Sequence, residues 1–395
     1  MKLELIGFLS DRDRTSLAKV ASLLPEGIVS EKGWAETSWA SMAKKDGSLQ
    51  IGFGLGAFPN VGIRDAYAGL SVGTSQFTVR TLKPVGDHDS ETSIGTIRYE
   101  VLDDPNRIRL SLLDNASCPI AFELEYKSTL PWFFEERQLL RSAISGARVA
   151  DAVRCHQRGS VSGWISIEGI RQPIDSGDWV AFRDHAWGMR PDIGRVPATQ
   201  YHEPIAENRS ASYMQLWCLM FFEREDGSQY MVHFYLVKTR ERDIHVSGHL
   251  NFENGTQVPA EYIEVDLTYD DSTRQPEGGT VHLTVESGET LCIEINAYSN
   301  RTGFHLGAGR HLGYAVLDGI DLGLSSTEED GSYEEGEFVA DVLRDDPSLR
   351  AYQLRDNLIE ARHGESLGYG VLQSIAYGVW LKEGLTINAI YACLD

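Results

Sequence analysis

The chain has 395 residues, 42% hydrophobic and 24% charged, the composition of a globular protein long enough for two cores. Its formal net charge of −22 argues against nucleic acid or an anionic membrane surface as partner, because gripping phosphates takes clustered Lys and Arg. The five cysteines are scattered, odd in number and without a C-x-x-C pair, so they read as buried free thiols in a reducing compartment.

The first expected element is a helix over residues 10–23, "SDRDRTSLAKVASL", which opens on a Ser/Asp cap and is limited by Pro25. The opening "MKLELIGFLSDRDR" turns charged too soon for a secretory leader. No run approaches the roughly 18 apolar residues of a membrane span, and a cytoplasmic protein is expected.

Short strands separated by turns follow. Asp46-Gly47, Asp226-Gly227 and Asn254-Gly255 each place residues that tolerate positive φ between two strand-like runs, and predict hairpins. Thr96–Asp114 reads as a meander. The run "GFGLGAF" (Gly52–Phe58) has a G-x-G-x-G spacing but no helix after it, so it is not a dinucleotide loop. Residues 132–155 set Phe133, Leu139, Leu140, Ile144, Ala147 and Val153 near helical spacing and predict a helix linking two β-domains. Arg350–Ser374 reads as a hairpin turning at His363-Gly364-Glu365. The sum is an all-β chain of two antiparallel barrels. Its expected parts are a helical segment over 1–30, a β-domain over 31–160 and a second over 161–395. Barrels enclose ligand cavities.

Chemistry concentrates in "WVAFRDHAWGMRPDIG" (Trp179–Gly194). Read as a strand, it puts Arg183, His185 and Trp187 on one face with Trp179, and Phe182, Asp184 and Ala186 on the other. Asp184 beside Arg183 or Arg190 is also what a structural ion pair looks like. In the same way Asp65 and Tyr67 share a face, as do Tyr213, Gln215 and Trp217, and His233 and Tyr235. His245 and His249 are four apart, but on a strand that spacing makes no chelate, and no metal site is expected. There is no P-loop and no G-x-S-x-G elbow.

The octapeptide "RDHAWGMR" resembles the RDHSWGxR stretch of the hydroxyneurosporene-synthase-like family, relatives of carotenoid 1,2-hydratase. The lead-in from Arg154 and the stretch "FGLGAFPNVGIRDAYAG" are similar to that family as well. The resemblance implies two lipocalin-like barrels. It also implies a lyase or isomerase that hydrates or shifts a double bond of a hydrophobic, terpenoid- or steroid-like substrate, or cyclises a polyene. It carries Asp184, His185, Trp187 and Arg190 over as site residues, with Ala186 where Ser or Gln is expected.

On this reading Asp65 is the buried acid that protonates an alkene, and His185 positions water or acts as base. Trp187 offers its π-face to a cation, and Arg190 binds a polar end or holds Asp184. Tyr67, Tyr213, Gln215, Trp217, His233 and Tyr235 line the substrate. No cofactor is called for, the partner is a small hydrophobic molecule, and a homodimer is left open. The rival reading from another class is a lipocalin-type binding protein without chemistry.

Overall fold

The computed structural model describes residues 30–387 except 32, 61, 74, 85–91, 103–105, 117, 142–145, 190–211, 299–302, 307–335 and 344–353. The helix expected over 10–23 and Arg190 lie outside the described residues.

The described chain is built of strands. Those of the first sheet are β1 (Trp34–Lys44), β2 (Leu49–Phe58), β3 (Ile63–Val72), β4 (Ser75–Pro84), β5 (Ser93–Ile94), β6 (Ile97–Val101) and β7 (Arg107–Leu112). They continue with β8 (Ile120–Ser128), β9 (Phe133–Phe134), β10 (Gln138–Arg141), β11 (Arg148–Ile167), β12 (Ile170–Ile174) and β13 (Trp179–Met189). Those of the second sheet are β14 (Tyr213–Glu223), β15 (Gln229–Thr239), β16 (Asp243–Phe252), β17 (Gln257–Tyr269), β18 (Pro276–Val285) and β19 (Thr290–Ala297). After them come β20 (Phe304–His305), β21 (Gly336–Leu343), which returns to the first sheet, β22 (Arg355–His363) and β23 (Ser366–Tyr377).

The first sheet runs β21-β4-β3-β2-β1-β13-β11-β8-β7-β6-β5, with β9, β10 and β12 also paired to β11. It curls until β5 and β6 lie against β3 and β4, where the Thr81 hydroxyl donates to the Ile94 carbonyl at 3.1 Å. The second runs β19-β18-β17-β16-β15-β14-β23-β22, and β19 pairs with β22, so its strands close into a barrel. Two lipocalin-like barrels are thus the architecture. The predicted hairpins are present, with Gly47, Gly227, Gly255 and Gly364 at φ of 74°, 80°, 85° and 58°.

The linking helix expected over 132–155 is absent, and β9, β10 and the first part of β11 stand in its place. The reason is pairing. From Asp151 to Gly159, β11 is matched residue for residue with β13, and this ladder outweighs the helical propensity of the Leu, Ala and Arg content. Residues 161–189, expected in the second β-domain, pair within the first sheet, so the RDHAWGMR strand belongs there. Cys118, Cys155 and Cys218 are buried free thiols, but Cys292 is exposed.

Alternation divides the side chains of each wall. One apolar cluster, including Met42, Phe53, Leu110, Phe122 and Trp179, fills the first barrel, and another, including Met214, Phe234, Leu283 and Leu372, fills the second. A third lies between the barrels and joins Trp39, Tyr67 and Phe182 of the first to Trp217, Leu219 and Tyr235 of the second. Polar bonds cross the same gap. Trp39 Nε1 donates to Asp356 Oδ2 at 2.8 Å, and Gln138 Nε2 to the Tyr235 hydroxyl at 2.8 Å. No helix among the described residues is long and apolar enough to cross a membrane, which does not bear on strands.

Candidate functional site

Strand β13 is a wall with two chemically different faces, and every residue from Trp179 to Met189 is buried. Ala181, on the same face as Arg183, His185 and Trp187, packs into the core of the first barrel, whereas Phe182, on the face of Asp184, packs between the barrels. The predicted alternation therefore holds.

On the interior face, Glu36 of β1 lies directly opposite Trp187. Its Oε1 is 2.7 Å from His185 Nε2, and the His185 and Trp187 rings stack at 4.0 Å with 8° between their planes. This constellation sits at one end of the barrel, where β1 begins and β13 ends. Arg64, fully buried, lies in the same cross-strand row, separated from Glu36 by Ala57 of β2. Glu36 Oε2 and Trp187 Nε1 are buried without a hydrogen-bond partner among the described residues. Buried polar atoms of this kind find their partner in ordered water or in a bound molecule. Arg183, further along the face, is spoken for. Its Nε and Nη2 donate to Gln157 Oε1 at 2.9 and 2.7 Å, and its guanidinium lies over Trp132 at 4.4 Å.

On the outer face, Asp184 Oδ2 is 3.3 Å from Arg154 Nε. Arg154 of the neighbouring strand is thus a cation for it, whereas Arg183 lies on the other face. Arg154 Nη1 in turn lies 3.7 Å from Glu135 Oε1. That carboxylate oxygen accepts a hydrogen bond from Trp217 Nε1 at 2.7 Å and lies 3.2 Å from His233 Nε2 and 3.5 Å from His156 Nδ1. The His156 and His233 rings are 4.7 Å apart, and His249 stacks parallel to His233 at 6.3 Å. Burial opposes ionisation of Glu135, but Arg154, His233 and His156 overcome it and hold the carboxyl well below its ordinary range. Burial pushes His156 down to about 4 and His249 to about 4, and lowers His233, so the imidazoles are neutral at pH 7.

The predicted site residues are thereby split. His185 and Trp187 come together, and Glu36, which sequence reasoning missed, completes them. Asp65 and Tyr67 lie on the opposite face of the first sheet, with Tyr67 stacked on Phe304 at 6.2 Å. Asp65 shares a cross-strand row with Gly56, Thr37, Ala186 and Arg154, so it is not the acid beside His185. Trp217, His233 and Tyr235 lie on the outer face of the second barrel, as do Tyr213 and Gln215, hydrogen-bonded to each other at 2.9 Å. Glu135 and His156 were missed too. Nothing in their spacing relates them to His233, which reaches them only across the gap between the sheets.

A family profile described as "Family of unknown function (DUF8625)" matches residues 23–386, and the chain belongs to that family. No curated protein matches it. Solved structures of related outline include an AttH-type protein of Nitrosomonas europaea at 13% identity, covering 86% of this chain and 92% of that one with a TM-score of 0.49. Kievitone hydratase of Nectria haematococca aligns at 10% identity over 89% of this chain and 92% of its own, with a TM-score of 0.40. CghA aligns at 10% over 87% and 88%, with a TM-score of 0.43. Such values transfer no activity to this chain.

Proposed function

We propose that the chain is an acid–base lyase or isomerase acting at a double bond of a hydrophobic, terpenoid- or steroid-like substrate, with Glu36, His185 and Trp187 as its proton-handling centre. One observation carries this reading: a buried imidazole held by a carboxylate at 2.7 Å, with an indole stacked on it and orphaned polar atoms beside both. A carboxylate on one ring nitrogen fixes the ring's orientation and leaves the other nitrogen to take or give a proton. His185 Nδ1 has no hydrogen-bond partner among the described residues.

The arrangement favours chemistry within the reach of an imidazole. Removal of a proton next to an activating group, with loss of water from the adjacent carbon, converts an alcohol to an alkene. The proton taken by His185 leaves with the hydroxyl as water, and hydration is the same path reversed. Return of the proton to a different carbon moves the double bond instead. Protonation of an isolated alkene would need a stronger acid on this face, and Asp65 is on the other.

The test begins with small molecules extracted from the purified protein and identified by mass spectrometry, each then incubated with the enzyme in deuterated water. Hydration, or a double-bond shift with exchange of the proton, should place solvent deuterium on carbon, and dehydration should release a carbon-bound hydrogen to solvent. His185→Gln and Glu36→Gln should each slow turnover by about 10² or more, the usual size of a general acid–base contribution. Turnover in which no carbon-bound hydrogen is gained, lost or moved contradicts proton transfer. Bound ligand that is never converted points to a binding protein.

A further inference from the structure

The cluster between the barrels has no part in that chemistry, and its geometry asks for something else. Glu135 Oε1, His156 Nδ1 and His233 Nε2 face one another, and each of the three residues is buried. Oε1 is 3.5 Å from the first nitrogen and 3.2 Å from the second, and the three ligand atoms lie within 4.8 Å of one another. A tetrahedral ion with arms of about 2.05 Å has ligand atoms about 3.3 Å apart. The two distances to Oε1 match those around a shared ion, and neither imidazole forms a hydrogen bond of good geometry here.

Other groups in the gap are also left wanting. His156 Nε2, His233 Nδ1, His249 Nδ1 and both polar side-chain atoms of Asn251 are buried without hydrogen-bond partners among the described residues. His249 lies directly across from His233, and Asn251 two residues further along β16 on the same face. Metal-bound histidines need a partner, or a water, for the second ring nitrogen, and a coordinated ion would bring ordered water with it.

We propose that Glu135, His156 and His233 bind one divalent transition-metal ion of the zinc class between the barrels. Two nitrogens and one carboxylate oxygen form the donor set that borderline ions prefer to Mg²⁺ or Ca²⁺. His156 belongs to the first sheet, Glu135 follows β9 and donates its backbone N–H to the Arg154 carbonyl of that sheet, and His233 belongs to the second, so the ion ties the barrels together. With three protein ligands, its fourth position is left for water or a polar ligand atom.

The experiment uses the full chain, stripped with a chelator and dialysed. Zn²⁺ and Co²⁺ are titrated by calorimetry, and bound metal is counted by elemental analysis. One equivalent should bind, raise the melting temperature, and with Co²⁺ give the visible absorption of a low-coordinate nitrogen/oxygen site. His233→Gln and Glu135→Gln should weaken binding at least tenfold, whereas His245→Gln on the neighbouring strand should not. Absence of stoichiometric binding to the wild-type chain overturns the proposal whether or not the variants fold. So does full affinity in both ligand variants. Either outcome makes the cluster a hydrogen-bonded seam completed by water.

Discussion

Glu135, His156 and His249 show how burial acts on single groups. The carboxyl stays ionised because cations and imidazoles surround it, and the imidazoles stay neutral because the gap excludes water. The consequence for stability has a definite sign. His156 and His249 protonate at about 4 in the folded chain and near 6.5 when unfolded. As pH falls below 6.5 the unfolded chain binds protons that the folded chain refuses, so stability complete above that pH is lost progressively down to about 4. The carboxyl of Glu135, depressed in the fold, adds a loss at still lower pH as it takes up its proton. In metal-free buffer the melting temperature should fall through this window, and His156→Gln should flatten the fall. A melting temperature constant from pH 6.5 to 4 would contradict burial of neutral imidazoles.

Among the elements, β2 shows what a sequence motif can mean when its first reading fails. Gly52, Gly54 and Gly56 alternate on the face toward the second barrel, where rings lie close against the backbone. A Cβ on Gly54 would come within 2.3 Å of the Tyr67 ring, and one on Gly52 within 2.5 Å of Phe304. The G-x-G-x-G run is thus a flat strip on which aromatic side chains rest. Gly54→Ala should cost about 1–3 kcal/mol through overpacking, read as a lower midpoint in urea. A midpoint unchanged from wild type would mean that Tyr67 moves aside freely.

The elements were legible wherever the signal was local. Asp46-Gly47, Asp226-Gly227 and Asn254-Gly255 turn hairpins because their backbone needs are met within two residues. The faces of β13, β14 and β15 followed from alternation alone. The helix expected over 132–155 fails because β11 is held by β13, some thirty residues on, and β9 and β10 pair in turn with β11, which no periodicity within the stretch announces. Glu36 was invisible for the same reason. It is 149 residues from His185 in the chain and meets it only through the register of β1 on β13.

At the scale of the whole molecule, the two barrels meet on a surface that is apolar around Trp39, Trp217 and Phe182 and polar around Glu135. Two barrels were legible from composition and turn spacing. Which faces meet was not, because a residue aimed at a partner barrel and one aimed at a lumen have the same period. The residues expected to line one cavity accordingly divide between the interior of the first barrel and the gap. Strand β13 serves both places, with the proposed proton-handling group of His185 and Glu36 on its inner face and the ion pair of Asp184 with Arg154 on its outer face.

That division is the central claim, and adjacent residues test it. Melting temperature and single-turnover rate are measured for His185→Gln and Asp184→Asn side by side. His185→Gln should melt within about 1 kcal/mol of wild type and turn over about 10² more slowly or worse. Asp184→Asn should lose about 2–3 kcal/mol, because a largely buried guanidinium is left with less counter-charge, and should keep most of its rate while folded. The account is contradicted if His185→Gln retains full rate, or if it unfolds the chain while Asp184→Asn leaves stability intact.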